Sequence, residues 1–141
     1  IKARLVIAGS GPLETKLRRQ SWGLPIDFLG FVADRDQLAT LLATADIVFA
    51  PGPIETFGLS ALEALASGTN VIASSTSALR EIVTCGAGLT VAPQGRAFAD
   101  AANEMLAEPE QQRTKAARDR ALSFSWRRSA EQVLAIHQGA T

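Results

Sequence analysis

Two glutamates flank a glycine in a short stretch of this sequence that follows an apolar run. Glu55 precedes Gly58, and Glu63 follows it within the next helical pattern. A glycine at a helix start lets backbone N–H groups approach an anion, and the helix dipole adds about half a positive charge there. Carboxylates do not bind phosphate, so hydroxyl groups are their natural partners. The arrangement predicts a site for a ligand with a diphosphate and polyhydroxylated rings, such as a nucleotide sugar.

Each glutamate also has a purely structural interpretation. The sequence Ser60-Ala61-Leu62-Glu63 fits a capping box, in which Glu63 returns a hydrogen bond to the helix start. Glu55 fits a solvated loop residue equally well when it is taken alone. The pair at this spacing, with Gly58 between, favours the ligand site, although both alternatives stay open at this point.

The elements that must position these residues alternate along the chain. Most of the apolar runs are apolar throughout, which is typical of parallel strands buried on both faces. Five runs predict strands, at residues 4–8, 26–30, 47–50, 71–74 and 88–91. Helical periodicity predicts helices around residues 38–45 and 62–66, and at 78–83, 96–106, 108–122 and 126–138.

This alternation predicts an α/β fold. We expect a Rossmann-like, doubly wound parallel sheet of about five strands, with helices on both faces and two extra helices at the C-terminus. Ligands of open α/β sheets bind beyond the carboxyl ends of the strands. The loop at residues 51–58 follows one such end and leads into a helix at about Leu59, so we expect the ligand site there.

Several segments together resemble a known family. The stretches 45–51 and 55–74, the Gly-Ser-Gly-Pro turn at 9–12, the segment 28–32 and Ser123-Phe124-Ser125-Trp126 resemble the retaining glycosyltransferases of the two-Rossmann-domain (GT-B) class, family 4 type. The bacterial GDP-mannose-dependent mannosyltransferases of cell-envelope glycolipid synthesis are the members they resemble most. A hallmark of that family is two glutamates separated by seven residues, here Glu55 and Glu63.

The resemblance implies roles for individual residues. Glu55 would be the catalytic-site carboxylate that contacts hydroxyls of the donor hexose, and Glu63 would hold the ribose. Backbone N–H groups of Phe57, Gly58 and Leu59 would bind the diphosphate. Val32 would contact the nucleobase through its backbone, and Asp34 would bind a guanine edge through its carboxylate. Gly9 and Gly11 would form the glycine turn of the donor site. No metal site and no cofactor are implied, because the nucleotide-diphosphate sugar is a substrate.

The identity of the nucleotide is predicted from Asp34. Guanine presents adjacent N–H donors that one carboxylate can engage twice, whereas uracil offers a single N–H. Asp34 therefore favours a GDP-sugar, with GDP-mannose first and a UDP-sugar as the other possibility. Its alternative role is the N-cap of a helix that begins near Arg35.

Gly9 and Gly11 also invite comparison with the dinucleotide-binding fingerprint. The third glycine of that pattern is replaced by Glu14, and no acidic residue ends the following strand, so we set that interpretation aside. In our interpretation the two glycines shape a tight turn, with Pro12 at the first helical position.

Composition narrows the function further. The 141 residues carry 14 basic and 14 acidic side chains, which gives no electrostatic reason to expect nucleic acid as a partner. One cysteine, Cys85, makes a reducing compartment the simpler expectation. No apolar stretch approaches the ~20 residues that span a bilayer. We expect a cytoplasmic location, with peripheral association at the inner face of the membrane as an option. His137, the one histidine, is expected at the surface.

The domain organisation follows from the resemblance. Residues 1–141 correspond to the C-terminal nucleotide-sugar-binding domain without its first strand–helix unit, which in the family carries an arginine and a lysine that neutralise the diphosphate. The acceptor, a lipid or carbohydrate, would bind to an N-terminal domain. We therefore expect the isolated fragment to be inactive and its sheet to break into unequal parts. The alternative function is a non-catalytic nucleotide-binding or interaction module of the same fold.

Overall fold

The structure is a computed structural model that describes residues 3–84 and 86–139. Strands and helices alternate as the sequence predicts, up to the fifth strand. In chain order the elements are β1 (Leu5–Ala8), α1 (Glu14–Gln20), β2 (Ile26–Gly30), α2 (Arg35–Thr44), β3 (Val48–Ala50), α3 (Leu59–Ala66), β4 (Val71–Ser74), a 3₁₀ turn (Ala78–Glu81), β5 (Gly88–Val91), α4 (Gly95–Leu106), α5 (Glu110–Leu122) and α6 (Trp126–His137).

The chain divides into two compact units, one up to Leu38 and one from Ala39 onward. In the first unit, β1 and β2 pair in parallel, with Leu5 opposite Ile26. The register shifts between Ile7 and Ala8, and the N–H of Gly9, a residue with positive φ, still donates to the carbonyl of Gly30 at 2.6 Å. Apolar residues of β1 are not buried, since Leu5 is 37% exposed.

The second unit is built on a three-stranded parallel sheet in the order β3-β4-β5. All four residues of β4 are buried, because this strand lies between two neighbours and under helices on each face. On one face Val71 and Ala73 join a core cluster that includes residues of α3 and α5. On the other face Ile72 packs with Phe98 and Met105 of α4. The predicted α/β class, with parallel strands and helices on both faces, is confirmed.

Helix α3 forms because its apolar residues repeat on one side. Ala61, Ala64 and Leu65 are buried at helical spacing against the core cluster. The helix ends at Ala66 and is terminated by Gly68, whose φ of 91° lies in the left-handed region, while the N–H of Thr69 donates back to the carbonyl of Ala64 at 2.9 Å. The sequence predicted this termination correctly.

Some predicted boundaries are wrong, and prolines explain part of the difference. Helix α5 begins at Glu110 rather than residue 108, because Pro109 is its N-cap and the residue before a proline avoids helical backbone. Helix α1 begins at Glu14, so Pro12 lies in the preceding turn and not at the first helical position. The segment expected to be helical at residues 78–83 forms a 3₁₀ turn at Ala78–Glu81.

The burial of the strands also differs from the prediction. Only β4, among the five strands, is buried along its whole length, whereas β1 and β2 are half-exposed. The strands form one two-stranded and one three-stranded sheet. This agrees with the expectation that the sheet breaks into unequal parts. Within residues 3–84 and 86–139, no helix has the length and apolar character needed to cross a bilayer.

Candidate functional site

Two loops meet where β3 and β4 end. The loop at residues 51–58, which we call the donor loop because the sequence predicts a sugar-nucleotide site there, follows β3, and residues 75–77 follow β4. The backbone N–H of Ala78 donates to the carbonyl of Glu55 at 3.2 Å. The hydroxyl of Thr76 donates to the carbonyl of Pro53 at 3.2 Å. These bonds join the donor loop to the neighbouring loop at the carboxyl edge of the sheet.

The 3₁₀ turn is fixed by a buried serine. The hydroxyl of Ser77 donates to the carbonyl of Ser74 at 2.9 Å and accepts from the N–H of Leu79 at 3.3 Å. Leu79, which follows this serine by two residues, is buried, and its side chain packs against Gly58 of the donor loop.

Gly58 is the N-cap of α3, and its position requires glycine for two reasons. Its φ of 79° lies in the left-handed region, which side chains other than glycine rarely adopt. A Cβ atom there would collide with the Leu79 side chain and would lie 3.2 Å from the Cγ atom of Glu55. The backbone of Gly58 therefore packs directly against these two residues.

The N-terminus of α3 presents free backbone donors. The carbonyl of Gly58 accepts from the N–H groups of Ala61 and Leu62 at 3.0 and 3.1 Å, which closes the first turn. No side chain caps this helix, and within the described part of the chain nothing accepts a hydrogen bond from the N–H of Leu59 or Ser60. No acidic residue occupies the first turn. Such a helix end is suited to binding an anion.

Glu63 lies one turn into α3 with an exposed side chain. The capping-box interpretation is wrong, because Gly58 is the N-cap and Ser60 is already inside the helix. Among residues 3–84 and 86–139, no group forms a hydrogen bond or ion pair with the Glu63 carboxylate. Its side chain is therefore available for a ligand.

Glu55 is half-buried in the donor loop. Its carbonyl is held by the N–H of Ala78, and its Cγ atom lies beside Gly58. A fixed main chain and a partly covered side chain differ from the freely solvated loop residue of the alternative interpretation. Phe57 and Leu59, on either side of Gly58, remain exposed at this edge of the second unit.

The other predicted donor-binding residues belong to the first unit. Asp34 caps α2, since its Oδ1 atom accepts from the N–H groups of Asp36 and Gln37, both at 2.9 Å. The helix-cap alternative for Asp34 is therefore confirmed, and its contact with a nucleobase stays a prediction. Val32 is half-buried just before this cap. A Cβ atom built on Gly9 or Gly11 meets nothing within 4 Å, so neither glycine is required by local packing.

Two arginines of α5 bind backbone carbonyls, and no sequence pattern predicted these contacts. Arg113 is buried and donates to the carbonyl of Asp46 at 3.1 Å. Arg120 donates to the carbonyl of Ile82 at 2.7 Å. The spacing of charges along the helix gave no sign of these contacts, because the accepting carbonyls lie far away in the sequence.

The remaining site expectations concern metals and single residues. The described residues contain no group of three or more histidine, cysteine, aspartate or glutamate side chains that could hold a metal ion. His137 is exposed in the last turn of α6, as predicted. Cys85 lies outside the described residues.

Known proteins resemble this chain in sequence over most of its length. Residues 1–108 match the family described as glycosyl transferases group 1. The chain is 51% identical over 135 residues to the GDP-mannose-dependent alpha-(1-6)-phosphatidylinositol dimannoside mannosyltransferase of Mycobacterium tuberculosis (strain ATCC 25177 / H37Ra), a match that covers 96% of this chain and 35% of the relative. The chain thus spans about a third of the length of this curated relative.

Solved structures show the same fold. A sucrose-phosphate synthase from Thermosynechococcus elongatus matches with a TM-score of 0.79 and 31% identity, over 96% of this chain and 38% of that one. Anabaena HepE in complex with UDP and glucose matches with a TM-score of 0.72 and 23% identity, over 98% of this chain and 40% of that one. The second likeness concerns the fold alone.

Proposed function

Because the chain belongs to the group 1 glycosyl transferases, we propose that the intact protein transfers a hexose from a nucleotide-diphosphate sugar to an acceptor, with retention at the anomeric carbon. The described chain contributes the donor-binding part. One observation carries the proposal: the N-terminus of α3 has no side-chain cap, follows a glycine that packing requires, and lies between Glu55 and Glu63 in the sequence.

In this proposal the diphosphate binds at the start of α3. The backbone N–H groups of Phe57, Gly58 and Leu59 donate to its oxygens, and the helix dipole favours its negative charge. The charge that develops on the departing diphosphate is stabilised by these fixed dipoles and by basic side chains from outside this chain. No metal ion or cofactor is required by this arrangement.

The two carboxylates bind the hydroxyl groups on either side of the diphosphate. Glu55 accepts hydrogen bonds from the hexose and orients the anomeric carbon, so it is the catalytic residue of this chain. Glu63 accepts hydrogen bonds from the ribose. Charge-assisted hydrogen bonds of this kind are about twice as strong as neutral ones, which makes each carboxylate a measurable part of donor affinity.

We propose GDP-mannose as the donor, with a UDP-sugar as the competing possibility. The name of the mycobacterial relative specifies GDP-mannose, and 51% identity over nearly the whole chain supports a shared donor. Val32 would contact the nucleobase through its backbone, and Gly9 and Gly11 would form the predicted glycine turn of the donor site. Asp34 would add a contact to guanine through its second carboxylate oxygen while Oδ1 caps α2.

The acceptor is proposed to be a lipid or carbohydrate. It would bind to the part of the protein outside this chain, at the inner face of the membrane, so that the enzyme works in the cytoplasm as a peripheral protein. The name of the mycobacterial relative, a phosphatidylinositol dimannoside mannosyltransferase, motivates this part of the proposal.

Calorimetry on the intact protein tests the donor site. We would titrate GDP, UDP, GDP-mannose and UDP-glucose into the wild type, the Glu63→Ala variant and, as a control, the Glu104→Ala variant on the exposed face of α4. We expect Glu63→Ala to weaken nucleoside diphosphate binding about tenfold or more, because a charge-assisted hydrogen bond is lost. Absence of any nucleoside diphosphate binding at millimolar concentration would end the proposal, and preference for UDP would end its GDP-mannose part.

A further inference from the structure

The donor loop depends on noncovalent support from two places. Thr76 and Ala78 donate hydrogen bonds to the carbonyls of Pro53 and Glu55, and Leu79 packs against Gly58. These supports come from the segment that enters the 3₁₀ turn. On the other side, the ring of Phe57 contacts the ring of Phe124 edge to face, with centroids 6.2 Å apart. The loop is therefore held between the 3₁₀ turn and the chain after α5.

A single side chain binds to both supports. The Nε atom of Arg120 donates to the carbonyl of Ile82 at 2.7 Å, and a terminal nitrogen donates to the carbonyl of Glu81. These carbonyls terminate the 3₁₀ turn, where a cation is favourable. The guanidinium carbon of Arg120 also lies 4.6 Å from the centroid of the Phe124 ring.

The shape of the arginine side chain explains why Arg120 can bind the carbonyls of the 3₁₀ turn and stack on Phe124 at the same time. A guanidinium is planar and carries five donors in a fixed fork, so it can bind two adjacent carbonyls and still stack on an aromatic face. A lysine ammonium is a point charge that cannot reproduce this geometry. Phe124 is itself partly buried against the core cluster, which gives the stacked pair a fixed base.

We propose that Arg120 is a positioning residue that holds the donor loop in the conformation that binds the sugar nucleotide. Arg120 makes no contact with the donor. It acts through Leu79 and the turn on one side and through Phe124 and Phe57 on the other. The proposal deepens the proposed function and rests on it for the kinetic part of its test.

Arg113 provides a matched control on the same helix. It is also an arginine of α5 that donates to backbone carbonyls, those of Asp46 at 3.1 Å and Glu108 at 3.4 Å. Within the described part of the chain, both acceptors of Arg113 lie outside the donor loop and outside the segment 76–82. Replacement of either arginine by lysine removes comparable hydrogen bonds, so a purely structural role predicts similar effects for both.

Steady-state kinetics of the intact enzyme separates positioning from stability. We expect Arg120→Lys to raise the donor KM about tenfold while the acceptor KM changes less than about twofold, because misplaced binding groups weaken donor binding. Arg113→Lys should change both constants less than about twofold. Phe124→Leu, which keeps an apolar side chain, provides a second variant if Arg120→Lys is too unstable to assay, and should raise the donor KM severalfold. Equal donor KM changes for the Arg120 and Arg113 variants would overturn the proposal.

Hydrogen exchange gives a readout that needs no activity. The N–H groups of Ala61, Leu62 and Ala78 are bonded to carbonyls of the donor loop, so their exchange reports its order. We expect these amides to exchange faster in Arg120→Lys than in Arg113→Lys at equal overall stability. If these amides exchange faster in Arg120→Lys but the wild-type protein transfers no sugar, the positioning role of Arg120 is supported and the proposed function is rejected. Equal exchange in the two variants would reject the positioning role.

Discussion

The side chain of Leu79 fills the space that a Cβ atom on Gly58 would need. Leu79 is buried, and the hydroxyl of Ser77 accepts a hydrogen bond from its N–H, so it cannot easily move aside. The glycine that starts α3 is thus fixed by packing as well as by its positive φ. The shape of the proposed diphosphate site depends on this contact between two loops.

Replacement of Gly58 by alanine should therefore damage both stability and binding. We expect Gly58→Ala to lower the free energy of unfolding by about 1–3 kcal/mol, because the new methyl group meets Leu79 and the backbone is strained at φ of 79°. Urea denaturation measures the loss, and calorimetry should show weaker nucleoside diphosphate binding. Gly52→Ala is the control, since a Cβ there meets nothing within 4 Å. A fully stable, binding-competent Gly58→Ala would contradict the site.

The proposed roles of the two glutamates predict different binding patterns. Glu55→Gln should weaken GDP-mannose binding about tenfold while leaving GDP binding unchanged, because Glu55 contacts only the hexose. Glu63→Ala should weaken both ligands, since both contain the ribose. Calorimetric titration of each variant with the two ligands checks this. Loss of GDP affinity in Glu55→Gln would mean that the roles have been assigned wrongly.

The sequence predicted those parts of the fold that depend on local patterns. Strand β4 was located to the residue because four apolar or small residues are followed by polar ones. The end of α3 was located because Gly68 can adopt positive φ. Burial of β1 was not predictable in the same way, since an apolar run does not specify how many neighbours its strand will have.

The residues of the candidate site were likewise predictable only where they lie close together in the sequence. Gly58 and the two glutamates stand close together in the sequence, so their pattern was visible. Ser77 and Leu79, which support Gly58, come from the next strand–helix connection, and only the parallel pairing of β3 and β4 brings them near. The contacts of Arg113 and Arg120 were not predictable for the same reason, because their acceptors lie far away in the sequence.

Arg113 tests how much such a long-range contact contributes. We expect Arg113→Met to lower the free energy of unfolding by about 1–3 kcal/mol, because two backbone carbonyls lose a charged donor. Lys115→Met on the same helix removes only an exposed pair with Asp119 and should cost less than about 0.5 kcal/mol. Urea denaturation of both variants decides the matter. Equal stabilities would show that the Arg113 hydrogen bonds contribute nothing measurable.

The pair of Arg4 and Asp27 gives a pH dependence in the first unit. The hydrogen bond from Arg4 lowers the pKa of Asp27 below its ordinary value, with a smaller contribution from the positive charge. The pair therefore stabilises the fold above the unfolded-state pKa, and this contribution is lost as pH falls through the lower folded-state pKa. Carboxyl NMR titration should show the pKa of Asp27 rising in Arg4→Gln and unchanged in Lys16→Gln. An unchanged pKa in Arg4→Gln would refute the pairing.

Asp34 has a confirmed structural role and a proposed one, and a suitable pair of variants separates them. Serine is as good an N-cap as aspartate but carries no charge, so Asp34→Ser should retain stability, whereas Asp34→Ala should lose about 0.5–2 kcal/mol. If the free carboxylate oxygen contacts guanine, both variants weaken GDP binding and leave UDP binding unchanged. If Asp34 only caps α2, Asp34→Ser binds GDP like the wild type. Urea denaturation and calorimetry on the same samples distinguish these results, because a helix cap is measured by stability and a base contact by the ratio of GDP to UDP affinity.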